Sequence, residues 1–118
     1  MTAFSTLTQL PASQIENLTE LGYLDMTPVQ AESLPAILAG RDVRAQAKTG
    51  SGKTAAFGLG VMHRVDASQY VTQALVLCPT RELADQVAKE LRRLARFTAN
   101  IKILTLCGGQ PVGAQRDS

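Results

Sequence analysis

Between Arg81 and Phe97 the apolar residues Leu83, Val87, Leu91 and Leu94 recur every three or four positions. Glu82, Lys89, Glu90 and Arg93 fall elsewhere on the wheel, so the segment predicts an amphipathic helix. Arg92, Arg93 and Arg96 stand in its last turns, where cations suit the helix dipole. A second helix is predicted from Gly52 to about Arg64, with Ala55, Ala56, Leu59 and Met62 available for packing. Two other runs have no helical period. "QALVLCP", Gln73 to Pro79, is short and apolar, as in a strand covered on both faces. "IKILTLC" predicts a further strand, ended by Gly108 and Gly109. "DVRAQA" is the weakest strand candidate, because Arg44 and Gln46 interrupt it.

The first 40 residues read as helical. "SQIE", Ser13 to Glu16, fits a capping box opening a short helix that stops at Gly22. Another helix is predicted from Pro28 towards Leu38, with Gly40 as its stop and Pro35 as an interruption. The chain thus divides into a helical region, 1–40, and a strand–helix–strand–helix–strand region, 41–118. The second pattern predicts an α/β fold, a parallel sheet with crossover helices.

Bulk properties narrow the class only a little. The 118 residues suffice for one small domain, and 45% hydrophobic content is ordinary for a globular protein. A net charge of +2 makes no case for nucleic-acid binding, which must rest on local sites. Cys78 and Cys107 lack the spacing and the nearby histidines of a zinc site. Each closes an apolar run, which favours buried free thiols in a reducing compartment. No leader and no membrane-length apolar run is visible, so the expected location is the cytoplasm.

"AKTGSGKT", Ala47 to Thr54, carries the most chemistry. It follows a candidate strand and opens a candidate helix, the setting of a phosphate loop. Gly50 and Gly52 allow a tight turn whose N–H groups face phosphate oxygens, with Thr49 and Ser51 completing the loop. Lys53 can reach the β- and γ-phosphates, and the Thr54 hydroxyl can ligate Mg²⁺. Ala47 replaces the usual first glycine, and a small residue still fits. The loop implies a nucleoside triphosphate without naming the base.

The base is the question raised by Thr27-Pro28-Val29-Gln30. Thr, then Pro, then Gln at the third helical position is a capping sequence. A glutamine carboxamide is also the group that pairs with adenine in a two-pronged way. "PTRELA", Pro79 to Ala84, ends a strand, caps a helix at Thr80 and places Arg81 at its start. Such donors grip phosphates without reading sequence, although a plain capped helix with a surface arginine would look the same.

"GYLDMTPVQ", "AKTGSGKT", "PTRELA" and a Gly-Gly after the next strand have the order and spacing of the DEAD-box RNA helicases. The resemblance runs from Phe4 to Ser118 and implies a RecA-like domain that binds ATP and Mg²⁺. It implies that Tyr23 stacks on adenine, that Gln30 pairs with its edge, and that Thr27 approaches the phosphate loop. Phe4 matches the isolated upstream aromatic of the pattern. Met26 stands where the family usually has proline. Pro79, Thr80, Arg81, Gly108 and Gly109 would hold the RNA backbone. Lys53 would act catalytically, on charge developing at the transferred phosphoryl group, and Thr54 would hold the metal. A closer resemblance, to one bacterial member of the family, implies 23S ribosomal RNA as the target, in assembly of the large subunit, and no membrane is involved.

Hydrolysis also needs an acidic metal ligand at the end of an apolar strand. Asp66, Glu82, Asp85, Glu90 and Asp117 are the acidic residues after Thr54, and none follows four apolar residues. The Asp-Glu-Ala-Asp motif, the Ser-Ala-Thr motif, the second domain and the arginine fingers are absent. The expectation is therefore the first part of a longer helicase, inactive alone, with sheet edges open to self-association. A small kinase or GTPase, or a fragment that only binds nucleotide, is the alternative.

Overall fold

Local capping signals set most of the helices. In the computed structural model, which describes residues 2–48 and 52–106, α1 spans Ala12–Glu20 and α2 spans Pro28–Leu38. Helix α3 spans Lys53–Arg64, and α4 spans Arg81–Leu94 and continues as a 3-10 turn, Ala95–Phe97. Thr80 caps α4 by accepting a hydrogen bond from the Leu83 N–H at 3.1 Å. Gly52, at φ +91°, opens α3 from a left-handed conformation that suits glycine.

Two helical expectations need correction. The "SQIE" capping box is not used: Pro11 is the N-cap of α1, and Ser13 lies inside the helix. Starting there aims Gln14 and Asn17 into the core, where both reach the end of α4. Pro35 does not divide α2, which runs unbroken from Pro28 to Leu38. Pro35 is exposed.

The core lies between the helices. Phe4, Leu18, Leu34, Leu59 and Leu94 are its most deeply buried members. Helix α3 is the middle layer, packed on α2 at one side and α4 at the other. Its glycines permit the approach. A Cβ on Gly58 would lie 2.7 Å from Leu94 Cδ1, and one on Gly60 would lie 2.2 Å from Ile37 Cγ2. Helix α1 packs against the end of α4. There Gln14 Nε2 donates to the Leu94 carbonyl at 3.0 Å, and Asn17 Nδ2 donates to the Arg93 carbonyl at 3.1 Å. These bonds satisfy carbonyls that the end of a helix leaves unpaired.

The parallel sheet is not formed among the described residues. "DVRAQA", "QALVLCP" and 101–106 have no ladder partner, and the bridge that does form is antiparallel, Ala3 with Asp25. The alternation expected of strands survives. Val76, Cys78, Ile101 and Ile103 turn towards the helices. Leu75 and Leu77 are 78% and 85% exposed, and Leu106 is 68% exposed. The physical reason is that a strand needs a neighbour for its N–H and C=O groups, and the helices supply only side-chain contact on one face. Among the described residues no helix is long and apolar enough to cross a membrane.

Candidate functional site

The start of α2 meets the start of α3. Gln30, 2% exposed, uses both ends of its carboxamide. Its Oε1 accepts from the Thr27 N–H at 2.9 Å, and its Nε2 donates to the Gly52 carbonyl at 3.1 Å. Thr27 Oγ1 occupies its capping-box position but is buried with no hydrogen-bond partner of good geometry among the described residues. The same two side chains crowd Gly52. A Cβ there would come within 2.4 Å of Gln30 Nε2 and 3.0 Å of Thr27 Oγ1. Thr27 thus lies against Gly52, the residue before α3.

Tyr23 is placed by the segment Thr2–Phe4 and by α4. The Phe4 N–H donates to the Leu24 carbonyl at 2.9 Å, and the Met26 N–H donates to the Thr2 carbonyl at 2.8 Å. This pairing sets the Phe4 ring 6.1 Å from the Tyr23 ring at 57°. The Tyr23 hydroxyl donates to Glu90 Oε1, while Glu90 Oε2 accepts from Arg93 Nη1 at 3.0 Å. The Arg93 guanidinium stands over the Tyr23 ring, 5.9 Å from its centre. Burial first, and then the bond to Glu90, push the Tyr23 phenol up to about 12. Glu90 and Arg93 were not expected from the sequence. They lie about 70 positions from Tyr23, and no local pattern couples them to it.

Lys53 and Thr54 begin α3. The Lys53 ammonium donates to the Ala47 carbonyl, across the loop. No acidic residue lies in the first turn of α3, so the positive end of its dipole is not offset by an acid there. Tyr23, Thr27, Gln30, Gly52, Lys53 and Thr54 line one open cleft of about 1500 Å³, and Glu90 lines it too. That is roomier than the ~300–1,000 Å³ of a closed small-molecule pocket. Thr54 is half-buried and presents one hydroxyl oxygen, a hard donor suited to Mg²⁺. No group of three His, Cys, Asp or Glu side chains able to hold a metal occurs among the described residues. A metal here would draw most of its ligands from phosphates and water.

Pro79, Thr80 and Arg81 are exposed at the start of α4 and do not line this cleft. Thr49, Gly50, Ser51, Gly108 and Gly109, together with Cys107, lie outside the described residues.

A DEAD/DEAH box helicase family model matches residues 27–118. The chain belongs to the DEAD/DEAH box helicase family. Within that family it is 78% identical, over its full length, to the ATP-dependent RNA helicase DbpA of Escherichia coli K12. It is 42% identical over 115 residues to the DEAD-box ATP-dependent RNA helicase CshA of Bacillus cereus. The chain spans only 26% and 22% of the length of these two relatives. A crystal structure of a DEAD box protein from Methanococcus jannaschii superposes with a TM-score of 0.84 at 31% identity, covering 99% of this chain and 32% of that one. An S. cerevisiae protein bound to RNA and ADP BeF3 superposes at 0.77, also at 31% identity, covering 83% of this chain and 25% of that one. The architecture is thus that of RecA-like DEAD-box helicase domains, although the sheet they imply is unpaired among the described residues.

Proposed function

We propose that this chain supplies the ATP site and part of the RNA grip of an ATP-dependent RNA helicase that unwinds short duplexes. The observation that carries the reading is the Gln30–Gly52 bond, which joins an adenine reader to the end of a phosphate loop in one cleft. In this reading Tyr23 stacks on the base and Gln30 pairs with its edge. Thr49, Gly50, Ser51 and Gly52 surround the phosphates, with Thr27 beside them. Lys53 stabilises charge on the transferred phosphoryl group. Thr54 would hold Mg²⁺ through its hydroxyl, and the ion would supply positive charge to offset that of the phosphates.

Binding requires exchanges within the protein. To meet adenine, the Gln30 carboxamide gives up its bonds to Thr27 and Gly52. To meet phosphate, Lys53 leaves the Ala47 carbonyl. Both moves trade an internal hydrogen bond for one to ligand, so each costs little net energy. Pro79, Thr80 and Arg81, which lie away from the cleft, contact RNA phosphates in this reading, and so do Gly108 and Gly109. The 23S ribosomal target and a cytoplasmic location follow from the resemblance. In the longer protein the segments 42–47, 73–79 and 101–107 join a parallel sheet.

The test is titration with ATP and GTP. ATP is expected to bind at least tenfold more tightly, and Lys53→Ala to abolish the binding. Equal affinity for GTP would remove the role assigned to Gln30.

A further inference from the structure

The Tyr23–Glu90–Arg93 cluster is more elaborate than packing needs. Glu90 sits three turns into α4, on a helix whose neighbouring polar residues Asp85, Gln86 and Lys89 are exposed. Its carboxylate is instead turned inward, with the side chain 16% exposed. Both oxygens are engaged, one by the Tyr23 hydroxyl and the other by Arg93. Arg93 returns over the face of the same ring. The ring is thus tied at its tip and covered on one face, with Phe4 tilted against it. Both Tyr23 and Glu90 line the cleft that contains Gln30 and Lys53.

We propose that Glu90, braced by Arg93, is a positioning residue for ATP binding: it locks the Tyr23 ring in the orientation that receives the base. The inference rests on the reading that Tyr23 stacks on adenine. A phenol free to rotate loses side-chain entropy when a base stacks on it, whereas a tethered phenol has lost that freedom already. With Arg93 over one face, a stacking partner must take the opposite face, and the tether decides where that face points. Glu90 thereby acts on affinity through Tyr23 without touching nucleotide.

ATP affinity of the full chain should be measured by calorimetry in a Tyr23/Glu90 mutant cycle. Glu90→Ala is expected to weaken ATP binding roughly five- to tenfold, the net worth of an ordinary hydrogen bond, since the bond acts on nucleotide only through the ring. Glu90→Gln keeps the acceptor for the Tyr23 hydroxyl and should recover most of that loss. In a Tyr23→Phe background, which has no hydroxyl to hold, the Glu90→Ala effect should vanish. An effect that persists undiminished beside Tyr23→Phe overturns the proposal, because Glu90 would then act through the stability of α4. If Tyr23→Ala weakens ATP binding but Glu90→Ala does not, the proposal alone fails. If Tyr23→Ala leaves ATP binding intact, the stacking reading fails with it. Near-UV circular dichroism of Glu90→Gln should match the parent, which separates positioning from misfolding.

Discussion

Gln30 shows how a single side chain can serve two partners. Its oxygen ties the start of α2 and its nitrogen ties the start of α3, so in the proposed reading adenine would compete with the protein for both prongs. Gln30→Glu keeps the acceptor for Thr27 but has no N–H for adenine N7 or for the Gly52 carbonyl. It is expected to cost about 1–3 kcal/mol of ATP binding and to flatten selectivity against GTP. Gly52→Ala probes the same contact from the other side. Its methyl would demand a left-handed backbone and displace Gln30 Nε2. A loss of about 1–2 kcal/mol in stability, read by thermal shift, is expected from the backbone alone. Tyr23 makes a prediction about pH. Its phenol titrates at about 12 in the folded chain, above the ordinary value of 10. Below pH 10 both folded and unfolded states keep the proton, so its contribution is complete. Between pH 10 and 12 the unfolded state releases the proton first, and stability falls. Ultraviolet difference titration against Tyr23→Phe should place the phenolate transition near pH 12, and Glu90→Ala should lower it.

At the scale of elements, α1 serves as a cap for α4. Gln14 and Asn17 turn their amides to the last carbonyls of that helix, and Gln14 is 2% exposed. Gln14→Ala is expected to release the end of α4 at about 1–3 kcal/mol. Hydrogen exchange at Ala95–Phe97 should accelerate roughly ten- to hundredfold, with α2 unaffected. These elements also show which features could be read from sequence. The starts of α2, α3 and α4 were legible because Thr27-Pro28, Gly52 and Thr80 are local signals. The start of α1 was not, because "SQIE" offers a good local cap that tertiary packing overrides to bury Gln14. Tyr23, Thr27 and Gln30 were legible as a group. The anchor of Tyr23 on Glu90 was not, because nothing near either residue encodes a contact across that separation. Strand pairing failed for the same reason: alternation tells which side of a strand is apolar, but not which strand lies beside it.

At the scale of the whole molecule, the helices are packed on one another, while the extended segments are packed on one face only. Among the described residues, nothing covers the apolar face of Leu75, Leu77, Leu104 and Leu106, and their backbones find no ladder partners. Exposed, unpaired apolar strands are templates for pairing between chains. The isolated 118-residue chain is expected to self-associate as concentration rises and to unfold over a broad range. Light scattering after size-exclusion chromatography, with a urea melt, tests both. A monodisperse monomer with a single sharp transition would contradict the expectation.

The antiparallel pairing of Thr2–Phe4 with Leu24–Met26 bears on how the protein can be handled. Met26 stands where the family usually has proline, and its N–H is one that proline lacks; it holds the Thr2 carbonyl. Through this bond Thr2 is stitched to the segment that follows Tyr23, the ring proposed to receive the base. An affinity tag fused directly ahead of Thr2, or trimming of the first four residues by an aminopeptidase, would disturb Tyr23 from behind. Nucleotide affinity should therefore depend on the length of spacer left at the N-terminus, while a tag at the other end leaves this stitch untouched.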